Sequence, residues 1–264
     1  MAVQLLFLGT GGGRFATIYQ TRSTGGFILR DACTLHVDPG PGALSNMSRA
    51  GVDPAATDAI LISHCHPDHY SDGEVLVEGM TGGGIRKRGL LAGSESVLRG
   101  IEGMGPGVSQ YHQSLLPSVE VIAPGSSMSV QGMQVDFTPT LHTDPSGVGM
   151  VFHTREGRIS YVGDTHMRQD IVDAHHGCRV LMLSVTRPSN ARVRCHLCTE
   201  DAMDFVEAVR PEVAVLTHMG VRMVQAGPEK EAAKISQETG VRTVAAQDLM
   251  LMRIGKRITF SKYS

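Results

Sequence analysis

A mixed α/β fold in which strands outnumber helices is predicted by three observations. Short β-branched or leucine-rich runs recur along the whole chain, helical periodicity is confined to four segments, and hairpin-like neighbours sit beside strand–helix–strand units. The first strands are read at Leu5–Leu8, Gly26–Leu29, Leu35–Asp38 and Ala59–Ser63. Later ones are read at Val119–Ile122, Met133–Phe137, Val148–His153, Ile159–Val162, Val180–Val185 and Val213–Thr217. Each is bounded by Gly, Pro, Asp or Ser, which favour turns through backbone freedom, a fixed φ or local side-chain hydrogen bonds. Helices are read at Gly42–Ala50, Ser71–Gly79, Thr199–Val209 and Pro228–Thr239. The third opens with Thr199-Glu200-Asp201, a capping hydroxyl followed by acids that suit the positive end of a helix, and Pro211 stops it. Gly100–Gly107 is the most linker-like stretch but is too short to separate domains. Residues 1–264 therefore read as one domain, a layout compatible with two sheets and helices outside.

Composition removes several classes of function. Of 264 residues, 41% are hydrophobic and 19% charged, which excludes a disordered or fibrous chain. Lys and Arg number 24 against 26 Asp and Glu, a net charge of −2, so the chain as a whole is no polyanion binder; a local basic patch stays open. The 31 glycines predict many tight turns. Five cysteines, an odd number in a chain long enough to need no disulfide staples, fit a reducing, cytoplasmic compartment. The opening Met1 to Gly9 lacks a basic leader and reads as a first strand. No apolar run approaches the roughly 18 residues that span a bilayer, so no membrane partner is expected.

Chemistry concentrates where the apolar run Leu61-Ile62-Ser63 ends in His64-Cys65-His66-Pro67-Asp68-His69. Imidazole nitrogen suits Zn, Fe, Ni or Cu, and a carboxylate adds a harder donor that can bind or orient a second ion. On an extended exit from a strand, residues 64 and 66 point to one side and can grip one ion. The following turn brings 68 and 69 toward a neighbouring site. A polar loop capping a helix is the plain alternative, but a single histidine would serve it.

The pattern His-x-His-x-Asp-His at 64–69 resembles the signature of the metallo-β-lactamase superfamily. That resemblance implies a four-layer αββα sandwich and three more ligands, each after a strand. His142 after Leu141, Asp164 in Tyr161-Val162-Gly163-Asp164-Thr165, and His218 after Thr217 match them in order. By implication His64, His66 and His142 hold one ion, Asp68, His69 and His218 hold the other, and Asp164 and a hydroxide lie between them. Zinc is expected, with manganese or iron as alternatives. Such a pair acidifies water and stabilises attacking and leaving oxygens together, so hydrolysis through the bridging hydroxide is the implied reaction.

The segment Arg194–Ala202 is similar to a strand-to-helix motif of the phosphodiesterase branch, which includes ribonuclease Z and cyclic phosphodiesterases of phosphonate breakdown. His196, 22 residues before His218, matches a histidine that serves there as proton donor or phosphate contact. Imidazole titrates near neutral pH, which suits either role, while helix capping is the simpler alternative. Catalytic roles are assigned to His196 and, beside its ligand role, to Asp68. Leu8–Gly13 also looks like this branch, with a glycine turn near the site. Within it, Gly11-Gly12-Gly13-Arg14-Phe15-Ala16 matches the dinucleotide fingerprint G-x-G-x-x-A, but no helix is expected before the strand at Thr24–Leu29, so a nicotinamide cofactor is rejected.

Two departures narrow the substrate. Ribonuclease Z usually carries a tRNA-gripping arm between the third histidine and the bridging aspartate, yet only 22 residues separate His142 from Asp164. The phosphonate enzymes tend to carry a further Cys-rich zinc site, and residues 14–30 hold no cysteine. A small phosphodiester, cyclic or nucleotide-like, is therefore expected and tRNA disfavoured. The oligomeric state stays open between monomer and homodimer. A lactone, thioester or carboxylic ester hydrolase on the same metals is the first alternative, and a non-catalytic metal-binding module the second. Cys195 and Cys198, a C-x-x-C around His196, are read as free thiols rather than a second zinc or redox pair, and Cys33, Cys65 and Cys178 as buried small hydrophobes. Arg86-Lys87-Arg88 and Arg187, Arg192 and Arg194 read as solvated, with one of the second group placed to clamp a phosphate. His112, His166, His175 and His176 read as surface residues.

Overall fold

Alternating burial along each strand sets the layers. In Val3–Phe7 (β1), Leu5 and Phe7 enter one apolar cluster while Leu6 enters another. Ala59–Ile62 (β4) divides the same way, Ala59 and Leu61 against Ile60 and Ile62. Side chains two apart share a strand face, so a sheet covered on both sides needs apolar residues at every position. That requirement is why these segments read as unbroken hydrophobic runs.

The computed structural model describes residues 2–263. Its first sheet runs Ile258–Lys262 (β16), Met250–Ile254 (β15), β1, Phe27–Arg30 (β2), Thr34–Val37 (β3), β4, Leu90–Gly93 (β5) and Ser118–Val121 (β6). The second runs Arg242–Ala245 (β14), Val213–Thr217 (β13), Val180–Arg187 (β11), Gly157–Tyr161 (β10), Val148–Thr154 (β9), Met133–Pro139 (β8) and Ser127–Val130 (β7). Leu197–Cys198 (β12) pairs with β11 at its side. Pairing turns from antiparallel to parallel between β3 and β4 in the first sheet and between β10 and β11 in the second.

Phe7, Phe27, Phe152 and Tyr161 meet between the sheets, with Phe27 edge-on to Tyr161 at 5.3 Å and to Phe152 at 6.2 Å. Such edge contacts add about 1 kcal/mol each beyond area burial. Helices Ala43–Arg49 and Gly73–Thr81 cover the outer face of the first sheet through Met47, Leu76, Val77 and Met80. Helices Gln169–Ala174, Thr199–Val209 and Pro228–Thr239 cover the second through Ile171, Phe205, Val206 and Ile235. The result is the expected αββα sandwich.

Three local expectations are corrected. A helix does follow the glycine run, Arg14–Tyr19; it buries only Ala16, so it carries no apolar stripe for a sequence to display. The cap of Thr199–Val209 is Cys198, whose backbone N–H and thiol both reach the Asp201 carboxylate, while the Thr199 hydroxyl donates to Glu231 at 2.6 Å. His175 is buried rather than exposed, with Nε2 3.3 Å from the Thr138 hydroxyl on β8, and His112 is half-buried against Glu74 and Glu78.

Burial pushes the His175 imidazole down to about 3, against about 6.5 in an unfolded chain. The unfolded state therefore binds the extra proton, and stability falls as pH drops from 6.5 toward 3. At pH 5 this residue alone should cost roughly 2 kcal/mol relative to pH 7. His175→Gln is expected to move the acid-unfolding midpoint, followed by circular dichroism, to lower pH; an unchanged midpoint would reject the assignment.

Candidate metal centre

Ends of strands from both sheets converge on one edge of the sandwich, as the carboxyl ends of α/β sheets commonly do around a site. Asp38 follows β3, His64 follows β4, His142 follows β8, Asp164 follows β10 and His218 follows β13. The backbone changes conformation within the histidine motif. His66 remains extended, at φ −106° and ψ 143°, and caps a single helical turn, Pro67–Tyr70. Proline suits that first helical position because its missing N–H would have no partner there. The turn carries Asp68 and His69 toward His218 while the His69 ring stays 4.0 Å from that of His64, so one hexapeptide supplies two adjoining groups.

The first group joins His64 Nε2 to His66 Nδ1 at 2.9 Å and His66 Nδ1 to His142 Nε2 at 3.1 Å. In the second, His69 Nε2 and His218 Nε2 stand 3.1 Å apart, with Asp68 Oδ2 3.2 Å from His218 Nε2. Asp164 Oδ2 spans both, at 3.2 Å from His218 Nε2, 3.7 Å from His69 Nε2 and 3.9 Å from His142 Nε2. All seven residues singled out in the sequence are thus brought together. His196 joins them, its Nδ1 3.6 Å from Asp164 Oδ2 and its ring 4.9 Å from that of His142.

Each imidazole is held from behind. Ser63 donates its hydroxyl to Asp38 at 2.8 Å, so its oxygen is left to accept from His64 Nδ1 at 3.0 Å. His69 Nδ1 donates to Asp38 at 2.9 Å, and His142 Nδ1 donates to the Cys195 carbonyl at 2.9 Å. The Thr186 hydroxyl holds His218 Nδ1 at 3.2 Å, and Thr143 holds His66 Nε2 at 3.2 Å. A nitrogen that donates outward leaves its opposite neighbour as a bare lone pair. Lone pairs facing one another at 2.9–3.1 Å repel unless a cation or proton lies between them. The buried Asp164 Oδ1, moreover, has no hydrogen-bond partner. Nitrogen and carboxylate donors in this number suit a pair of divalent ions, His64, His66 and His142 fitting one and Asp68, His69 and His218 fitting the other. His142, Asp164 and His196 form a further overlapping triad.

Electrostatics agree with that donor set. Burial alone would raise Asp164, but the imidazoles of His218 and His69 pull it well below the usual carboxylate range. Burial, followed by His69, holds His64 well below its ordinary value, so its lone pair stays free. His69 is the exception: burial opposes its charge, yet Asp38, Asp68 and Asp164 lift it well above the usual value. Burial also lowers His196 to about 4, so the expected titration near neutral pH is not met and the ring stands neutral.

The glycine run packs on this cluster. A Cβ on Gly12 would lie 2.2 Å from the His218 ring, and the Gly13 N–H donates to Asp68 Oδ2 at 2.7 Å. Asp38, Ser63, Thr143 and Thr186 were not legible beforehand; a lone polar residue near a strand end is too common to stand out. Among the arginines, Arg192 pairs with Asp201 at 2.7 Å, whereas Arg187 and Arg194 line a cavity with His196. Asp38 has the most to hold, accepting from the Ser63 backbone and hydroxyl, His69 and the Tyr161 hydroxyl. Asp38→Asn is expected to weaken metal binding about 10- to 100-fold in competition with a chromophoric chelator; unchanged affinity would deny it this orienting role.

An αββα sandwich with a buried His/Asp cluster at its strand ends defines the metal-dependent hydrolases of metallo-β-lactamase fold, a fold that implies divalent metal ions. The family described as the beta-lactamase superfamily domain matches residues 34–219, and the chain belongs to it. It is 42% identical to an uncharacterized protein of Methanocaldococcus jannaschii over 94% of this chain and 93% of that one. It is 24% identical to a ribonuclease Z of Pyrobaculum neutrophilum, over 96% and 99% of the two chains. Among solved structures it resembles the metallo-β-lactamase fold protein YhfI of Bacillus subtilis, with TM-score 0.76, 17% identity and 99% and 100% coverage. It also resembles a diphosphatase of the PhnP family, with TM-score 0.69, 18% identity and 94% and 96% coverage. No helix among the described residues is long and apolar enough to cross a membrane.

Proposed function

We propose that residues 1–264 act as a single dinuclear metal-dependent phosphodiesterase on a small, cyclic or nucleotide-like phosphodiester. The observation that carries this reading is the set of inward lone pairs, each fixed by an outward hydrogen bond, with Asp164 Oδ2 reaching both groups. Zinc is the proposed metal, with manganese and iron as the alternatives that elemental analysis separates. When bound, the two ions supply Lewis acidity and acidify water. The chain's own part is positional. Asp38, Ser63, Thr186 and the Cys195 carbonyl aim the imidazoles, and Gly13 orients the Asp68 carboxylate. His196, half-buried beside Asp164, offers a neutral imidazole N–H as a hydrogen-bond donor to a phosphoryl oxygen, where charge builds up in the transition state.

Relatives named a diphosphatase and a ribonuclease Z, both enzymes of phosphate-bond hydrolysis, support the substrate class. The span between His142 and Asp164 is taken up by the β9–β10 hairpin inside the second sheet, which disfavours a tRNA-gripping arm there. Five free, buried cysteines fit a cytoplasmic location. The test is hydrolysis of bis-(p-nitrophenyl) phosphate before and after exhaustive chelation. Activity should vanish with the metal and return when about two ions per chain are restored. Cleavage of a lactone or thioester with the phosphate diester untouched would overturn the reading.

A further inference from the structure

A second cavity, about 750 Å³, opens beside the metal cluster and is lined by Arg14, Arg187, Arg194 and Arg222 with no carboxylate in its wall. It shares Gly13, Arg14 and His196 with the smaller cavity, about 460 Å³, that contains His66, Asp68, His142 and Asp164. The two spaces therefore adjoin along one edge of the candidate site. In a chain of net charge −2, four guanidiniums on one wall are a concentrated positive field.

None of the four is neutralised from within. The ion pairs of the described residues engage Arg88, Arg155, Arg168, Arg179 and Arg192, and none involves these four. Arg187 even buries its Nε without a hydrogen-bond partner. Beside them stand Phe15 and Tyr19, 62% and 70% exposed, on a helix that buries only Ala16. Large aromatics left in water at the mouth of a site lack a packing role; paired with guanidiniums they offer a stacking face for a base and forks for phosphate oxygens.

We propose that this cavity is a nucleotide subsite, taking a phosphate other than the scissile one together with the base that it carries. The inference deepens the phosphodiesterase reading and rests on it for the location of the scissile bond. Ligands of this class are nucleotides with at least one additional phosphate, held by Arg14, Arg187, Arg194 and Arg222, with the base against Phe15 or Tyr19.

The subsite can be tested without metal. Calorimetric titration of the chelated full-length protein with ADP, pyrophosphate and adenosine should show ADP binding at least tenfold tighter than adenosine. The Arg14→Gln/Arg194→Gln double variant, both side chains being exposed, should lose about tenfold or more for ADP and pyrophosphate alike. Arg257→Gln, in the turn before β16, should change neither. Phe15→Ala should weaken ADP about tenfold and leave pyrophosphate unchanged. Equal affinity for ADP and adenosine, or double-variant affinities equal to wild type, would overturn the proposal. So would a short RNA oligonucleotide binding more than about 100-fold tighter than ADP. Cleavage of bis-(p-nitrophenyl) phosphate by metal-loaded protein that fails to bind ADP leaves the phosphodiesterase reading standing alone; ADP binding without any cleavage removes that reading and keeps the subsite.

Discussion

Asp164→Ala is expected to fold, to hold fewer than two ions per chain and to lose at least about a thousandfold in kcat/KM on a phosphodiester, on the order of 4 kcal/mol of transition-state stabilisation. The size follows from position: among the carboxylates of the described residues, Asp164 is the one that lies within 4 Å of nitrogens from both groups. It is buried, and His218 and His69 hold it ionised against the cost of that burial. Removing it takes a bridging charge from between four imidazoles while leaving the sheets untouched. Metal analysis and circular dichroism on the same sample separate loss of the centre from loss of the fold. Two ions and full activity in the variant would remove Asp164 from the centre.

His196→Ala is expected to behave differently, keeping two ions while kcat on the phosphodiester falls about 100- to 1,000-fold, the range for losing one hydrogen-bond donor to the developing oxyanion. His196 also belongs to a triad with His142 and Asp164 that could bind an ion, so metal content is the deciding measurement. Loss of an ion in His196→Ala would make it a ligand and overturn the donor role. A contact to the phosphoryl oxygen should cost a nitrophenyl diester and an alkyl diester alike; a loss confined to the alkyl ester, whose leaving group needs a proton, would make His196 a proton donor instead.

How much of this was legible beforehand follows from where information sits in a chain. The hexapeptide His64 to His69 concentrates unlike chemistry in consecutive positions, so it declared itself, and its resemblance then ordered His142, Asp164 and His218. Helices Thr199–Val209 and Pro228–Thr239 matched their expected bounds because each carries an apolar stripe bounded by Pro or Gly. The helix Arg14–Tyr19 has no such stripe and passed unread. Asp38 and Thr186 act only through partners distant in sequence, His69 and His218, which no local pattern reveals. Cys198 displaced Thr199 as a cap because that hydroxyl is drawn to Glu231, on another helix. His175 was misjudged for the same reason: its burial depends on β8 lying beneath it, a fact of packing.

The pairing of β1 with β15 joins residues 3–6 to residues 251–254. Until residues 251–254 leave the ribosome, β1 has one flank unsatisfied, with backbone groups open to any passing chain. Closing so wide a loop is slow, because ordering entropy is lost before contacts are gained. Nascent molecules should therefore depend on chaperone shelter until β15 is made, and deleting the β15–β16 hairpin should harm solubility far more than its distance from the histidines suggests.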